Sequence, residues 1–144
     1  MTGPYFVDTH VFVYRFDSTE PEKQRAAERW LESLWRSGTG RVSLQVLQEL
    51  YSVLTDKLQA SFTRKEARSI VHSLFAWRPV PVDQAVIEGA FKLQDRYSVS
   101  WRDALILSAT QATGCRTLLT EDLSHDQLIE GVRIINPFEA EPPP

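Results

Sequence analysis

Cysteine is nearly missing from this sequence. Among 144 residues there is one, Cys115, beside three histidines and one methionine. A lone cysteine excludes a disulfide framework and a cysteine-based zinc site. It suits a reducing compartment. Long hydrophobic runs are missing too: no stretch reaches the roughly 18–20 uncharged apolar residues that a membrane span needs. The opening, Met1-Thr2-Gly3-Pro4-Tyr5-Phe6-Val7-Asp8, has neither the basic segment nor the apolar stretch of a secretory signal. The expectation is a cytoplasmic protein with no membrane attachment. An excess of positive charge is also absent, since 16 Lys+Arg face 19 Asp+Glu for a formal charge of −3. This excludes a sequence-blind polycation that wraps nucleic acid. A chain like this handles nucleic acid only through a local basic surface or a bound metal.

What is present is enough apolar material for one core: 42% of residues are hydrophobic and 10% aromatic. The length fits one domain. We expect a single domain over residues 1–138 and a flexible acidic, proline-rich tail over 139–144. The first strand is Tyr5-Phe6-Val7, ending at Asp8, with a helix-like turn through Val11–Tyr14. Thr19 and Glu22 are spaced as a capping box around Pro21. They open a helix with the stripe Ala27, Trp30, Leu31 and Leu34, stopped by Gly38. Arg41–Ser43 is a second strand candidate, and Leu44–Leu58 reads as one helix. Thr63 and Glu66 form another capping box. Arg78–Val82 is extended, as X-Pro pairs require. Asp83 caps a helix with the stripe Val86, Ile87, Ala90, Phe91 and Leu93. Ser100–Gly114 is apolar nearly all round and therefore a buried helix. Arg116–Thr120 and Val132–Ile135 are the last strands. Alternating strands and helices imply an α/β domain with a mostly parallel sheet and helices on both faces. In such sheets, sites form beyond the carboxyl ends of the strands.

Four acids matter on that rule. Asp8 and Asp122 each follow a strand end, where an ordinary cap or a polar loop would also account for them. Asp103 opens the buried helix, and with Ser100 it also fits a cap that complements the helix dipole. Glu49 lies about 200° around its helix from Leu47, bordering a second apolar flank with Val46 and Val53. Taken singly, each has a plain structural explanation. Taken together, they can converge at one sheet edge. Clustered carboxylates repel one another, and a divalent cation removes that conflict. Oxygen donors without sulfur or a histidine cluster point to Mg²⁺ or Mn²⁺.

The segments Val-Asp8-Thr-His, Leu-Gln-Glu49-Leu-Tyr, Trp-Arg-Asp103-Ala-Leu-Ile and Leu-Leu-Thr-Glu-Asp122-Leu resemble the acidic motifs of the PIN domain. More narrowly, they look like those of VapC-type toxin ribonucleases. The resemblance runs from Val7 to about Pro137, with the acids 41, 54 and 19 residues apart. It implies a three-layer α/β/α sandwich and a Mg²⁺- or Mn²⁺-dependent endoribonuclease. It also implies a homodimer that a cognate antitoxin protein holds inactive. Carried over by motif, Asp8, Glu49, Asp103 and Asp122 form the catalytic quartet, and Asp8, Asp103 and Asp122 hold the metal. Thr9 and Thr120 match supporting hydroxyls. Glu121 competes with Asp122 for the last acidic place. His10 stands where asparagine is common in the family.

RNA contact falls to Arg102, Lys57, Arg64, Lys65 and Arg68, with Arg15 beside them; a solvated face is the plain alternative for each, and for Arg102, beside Asp103, so is pairing with an acid. Trp101 could stack on a base or simply pack at the start of its helix. Phe12, Tyr14, Trp30, Trp35 and Tyr51 are candidates for an antitoxin groove or for core packing. Two other functions compete: a PIN nuclease of RNA processing or decay, and a catalytically silent module that binds RNA or protein. A haloacid-dehalogenase-like phosphatase fits poorly, because its second acid would fall at His10.

Overall fold

The computed structural model describes residues 3–58 and 62–144; Met1 and Thr2, where the expected domain begins, lie outside the described residues. The chain runs β1 (Tyr5–Val7), α1 (Thr9–Arg15), α2 (Pro21–Ser37), β2 (Gly40–Arg41) and α3 (Leu44–Ser52). It continues through α4 (Arg64–Leu74), α5 (Gln84–Arg96), α6 (Trp101–Ala112), β3 (Thr117–Leu119), β4 (Leu128–Ile129) and β5 (Val132–Ile135). The sheet order is β2-β1-β3-β5-β4, parallel except for the β4–β5 pair. Every residue of β1 and β3 is buried. Side chains alternate between faces along a strand, so both faces of the central strands are covered. This is the mostly parallel α/β sandwich that the alternation of elements implies.

Local chemistry explains most element ends. Gly38 closes α2 in the left-handed conformation, φ 68°. Thr63 and Glu66 make the reciprocal capping box that opens α4. Ser100 Oγ accepts from Asp103 N at 3.1 Å and starts α6. Gly89 lets α5 and α6 approach closely, because a Cβ there would stand 2.5 Å from Ser108 Oγ. That hydroxyl donates to Val86 O at 2.6 Å, tying the two helices.

Four expectations need correction. Thr19 does not cap α2. Its hydroxyl and amide both donate to Asp17 Oδ1, at 2.5 and 3.0 Å, so the side chain is engaged in its own turn; Pro21 begins the helix. The helix from Leu44 widens to a π-helical turn over Val53–Lys57. Thr55 Oγ1 donates back to Tyr51 O at 2.9 Å there, a bond that perturbs regular α geometry. The second strand pairs with β1 at Gly40 and Arg41, while Ser43 bridges to Val80. Phe91 faces outward at 48% exposure and stacks on Trp101, with ring centroids 5.2 Å apart.

The antiparallel β4 has no counterpart in the sequence reading. Its hairpin to β5 turns at Glu130 and Gly131, both at positive φ (50° and 83°), as a two-residue type I′ turn requires. Residues 139–144 carry no regular element, yet Arg29 pairs with Glu141 and Trp30 Nε1 donates to Ala140 O at 2.9 Å. Among the described residues, no helix is long and apolar enough to cross a membrane.

Candidate metal centre at the carboxyl edge of the sheet

Asp8 follows the last residue of β1 and is 2% exposed. Its amide donates to Leu119 O at 3.0 Å, which locks the end of β1 to the end of β3. A carboxylate this deep needs partners. Oδ1 accepts from Thr9 N at 2.7 Å, and Oδ2 accepts from Thr120 Oγ1 at 2.8 Å. Thr120 in turn accepts from Asp122 N at 3.1 Å, which bends the loop after β3 back over the sheet edge. Thr9 Oγ1 donates to Glu49 Oε1 at 2.5 Å, drawing α3 into the same site. Both threonines are buried.

The first turn of α6 supplies Asp103, whose side chain does not close the cap at Ser100. Carboxylate oxygens of Asp8, Asp103 and Asp122 all lie within 4.8 Å of one another. The donors are hard oxygens alone, on a buried, a half-buried and an exposed residue. That set suits a small divalent cation such as Mg²⁺ or Mn²⁺ better than zinc. Burial, then the charges of Asp8 and Asp103, raise the Asp122 carboxyl above its ordinary pKa, although Arg102 and His10 pull it down. The part of that rise owed to Asp8 and Asp103 is repulsion, which a cation would relieve.

Arg102 lies inside this cluster. Its Nη2 donates to Asp8 Oδ1 at 2.6 Å, Glu49 Oε1 at 2.7 Å and Thr9 Oγ1 at 3.2 Å. Its Nη1 donates to Asp8 Oδ2 and Asp103 Oδ1, both at 3.3 Å, and to Asp122 Oδ2 at 3.4 Å. Its Nε donates to Glu49 Oε2 at 3.1 Å. Burial opposes the charge of Arg102, but the hydrogen bonds to Asp8 and Glu49 outweigh it and lift the guanidinium pKa above its usual value. Four carboxylates thus surround one guanidinium, a formal surplus of three negative charges.

The fold therefore brings together Asp8, Thr9, Glu49, Arg102, Asp103, Thr120 and Asp122. Glu121 points elsewhere: it accepts from Tyr14 OH at 2.7 Å and pairs with Lys23 at 3.0 Å. Lys57, Arg64, Lys65 and Arg68 are exposed on the end of the α3 extension and on α4, with no hydrogen bond to the acids. From sequence, Arg102 is a candidate either for phosphate contact or for pairing with an acid, and the structure pairs it with four acids. Its adjacency to Asp103 was the available signal, but the direction of a side chain in the first turn of a helix depends on what lies across from it. His10, exposed on α1, stands near enough to Asp122 to stabilise its charge.

Residues 5–130 match the family model described as PIN domain. No curated protein matches the sequence. Among solved structures, the chain resembles a toxin–antitoxin complex from Klebsiella pneumoniae, at 20% identity and TM-score 0.65. That match covers 92% of this chain and 97% of the other. VapBC2 from Rickettsia felis, bound to a DNA fragment from its promoter, matches at 19% identity and TM-score 0.63, covering 90% and 96%. The Mycobacterium tuberculosis VapC20, a toxin that cleaves the Sarcin-Ricin loop, matches at 20% identity and TM-score 0.59, covering 90% and 98%. At these identities the likeness is one of fold.

Proposed function

The chain belongs to the PIN domain family, and on that footing we propose that it is a metal-dependent endoribonuclease, the toxin of a toxin–antitoxin pair. The observation that carries the reading is the convergence of Asp8, Asp103 and Asp122 at the carboxyl edge of the sheet, with Glu49 beside them. Asp8, Asp103 and Asp122 hold Mg²⁺ or Mn²⁺. When bound, the ion supplies a water activated for attack and offsets charge on the phosphate. Asp8 is the fixed ligand, because Thr9 and Thr120 hold both of its oxygens in place. Glu49, linked to the cluster through Thr9, takes the proton of the attacking water at a carboxylate oxygen. Asp122 completes the ligand set from a loop that Thr120 restrains. Products carry 5′-phosphate and 3′-hydroxyl ends.

The exposed Arg64, Lys65, Arg68 and Lys57 give RNA a basic approach on an otherwise acidic chain. The antitoxin docks in the cavity of about 510 Å³ between α1, α2 and α4, where Phe12, Phe16, Leu31, Trp35, Ile70 and Trp77 form an apolar wall. Trp35 is 51% exposed there. A half-exposed tryptophan beside an apolar wall suits an apolar side chain of a partner. The toxin works in the cytoplasm as a homodimer.

The test is cleavage of a mixed structured RNA pool by purified protein with Mg²⁺, Mn²⁺ or EDTA, beside the Asp8→Asn variant. Metal-dependent cleavage that EDTA and the variant both abolish is the expected result. Folded, antitoxin-free protein that cuts equally in EDTA would overturn the metal mechanism.

A further inference from the structure

The acid cluster already holds a cation, and it belongs to the chain itself. Arg102 Nη1 bonds to Asp8, Asp103 and Asp122, the same three residues whose oxygens gather within 4.8 Å. A magnesium ion needs oxygens about 2.0–2.1 Å away. Both oxygens of Asp8 face the guanidinium, Oδ1 through Nη2 and Oδ2 through Nη1, so an ion on Asp8 would meet it directly and add two positive charges beside a third. The guanidinium cannot escape that repulsion by losing its proton. It can move, because the side chain of Arg102 is 29% exposed and leads to solvent.

Resting on the metal-site reading above, we infer that Arg102 is a built-in competitor for the divalent cation: it withdraws from the carboxylates before an ion enters, and so sets the ion concentration at which the site loads. Without an ion, Arg102 tempers the mutual repulsion of four carboxylates and helps keep the site folded. The surplus of three negative charges left by that arrangement still favours a doubly charged replacement. Apparent ion affinity is then the intrinsic affinity reduced by the fraction of molecules with Arg102 withdrawn. A merely structural tie would behave differently, since removing it would loosen the site and weaken ion binding. A residue serving only RNA would leave ion binding unchanged.

The experiment is calorimetric titration of chelator-stripped full-length protein with Mn²⁺, in the wild type, Arg102→Gln and Arg102→Lys. Arg102→Gln should bind Mn²⁺ about tenfold tighter or more, with Arg102→Lys between it and the wild type. In EDTA, Arg102→Gln should melt below the wild type, and added Mn²⁺ should close the gap. A wild type that binds Mn²⁺ beside a folded Arg102→Gln that binds it no tighter would overturn the competition while leaving the metal site intact. Folded proteins that all fail to bind would remove the metal-site reading and the competition with it. Should Arg102→Gln not fold without an ion, the wild type still decides the matter by NMR. The Arg102 Nε–H signal, now bonded to Glu49, should shift and exchange faster with solvent in step with Mg²⁺ occupancy. A signal unmoved at saturating Mg²⁺ would overturn the inference.

Discussion

Glu121 and Asp122 are neighbours in sequence and belong to two different carboxylate–cation groups. Glu121 meets one lysine and one tyrosine, and Lys23 also lies 4.8 Å from the centre of the Tyr14 ring. One charge answers one charge, and every polar atom of the group has a partner. Asp122 joins three other carboxylates around a single guanidinium. The first group is balanced and ties α1, α2 and the loop after β3 together. The second is unbalanced, and the charges of Asp8 and Asp103 add to burial in raising the Asp122 carboxyl. Acids alone do not distinguish a site from a strut; uncompensated charge held in place by buried hydroxyls does.

The sharpest way to break this contrast is Asp103→Asn. Ser100 still caps α6 through the backbone amide of residue 103, so the fold should persist. Cleavage should fall about a hundredfold or more, as for removal of a group that stabilises developing charge. Measured cleavage rates beside an unchanged circular dichroism spectrum check this. Thr120→Val probes the hydroxyl that links Asp8 to Asp122. It leaves a buried oxygen and an amide without that partner, so stability should drop by about 1–3 kcal/mol in urea unfolding. Cleavage should fall about tenfold, as for loss of a group that orients a ligand.

Asp122→Asn should act on pH dependence. The carboxyl pKa of Asp122 is raised by burial first and then by Asp8 and Asp103. The folded state therefore holds this proton more tightly than the unfolded chain. The stability it contributes is complete below the unfolded pKa and is lost as pH rises through the folded one. In EDTA at neutral pH, Asp122→Asn should be more stable than the wild type, and the advantage should shrink as pH falls through that window. Urea unfolding across the acid range would show it. The smallest effect belongs to Glu121→Gln. A partly exposed ion pair contributes about 1 kcal/mol or less, and cleavage should be unchanged. A loss of cleavage as large as that of Asp103→Asn would erase the distinction between the two groups.

Much of the fold was legible because its signals are local. Thr63–Glu66, Gly38 and Ser100–Asp103 mark helix ends through bonds made within one turn. β1 and β3 read as strands because short apolar runs are buried on both sides. β4 was not legible, since two residues carry no alternation to read, and its turn depends on Glu130 adopting a positive φ. Thr19 was misread because Asp17, outside the motif, competes for it. In the acid cluster, the rule that polar residues beyond strand ends are suspect singles out Asp8 and Asp122, while the start of the buried helix points to Asp103 and the second helix flank to Glu49. The spacing from Thr120 favours Asp122 over Glu121 only weakly, because side chains one residue apart differ only in direction.

The sequence by itself determined the α/β order of elements, the chemistry of the donors and the absence of sulfur for any metal. It did so because periodicity, caps and residue type are properties of short segments. Only the tertiary structure decided which acids share a space, that Lys23 and Tyr14 claim Glu121, and that Arg102 turns inward. Those outcomes depend on distances between segments about 40 to 110 residues apart. Electrostatic energy depends on those distances, and no local pattern encodes them.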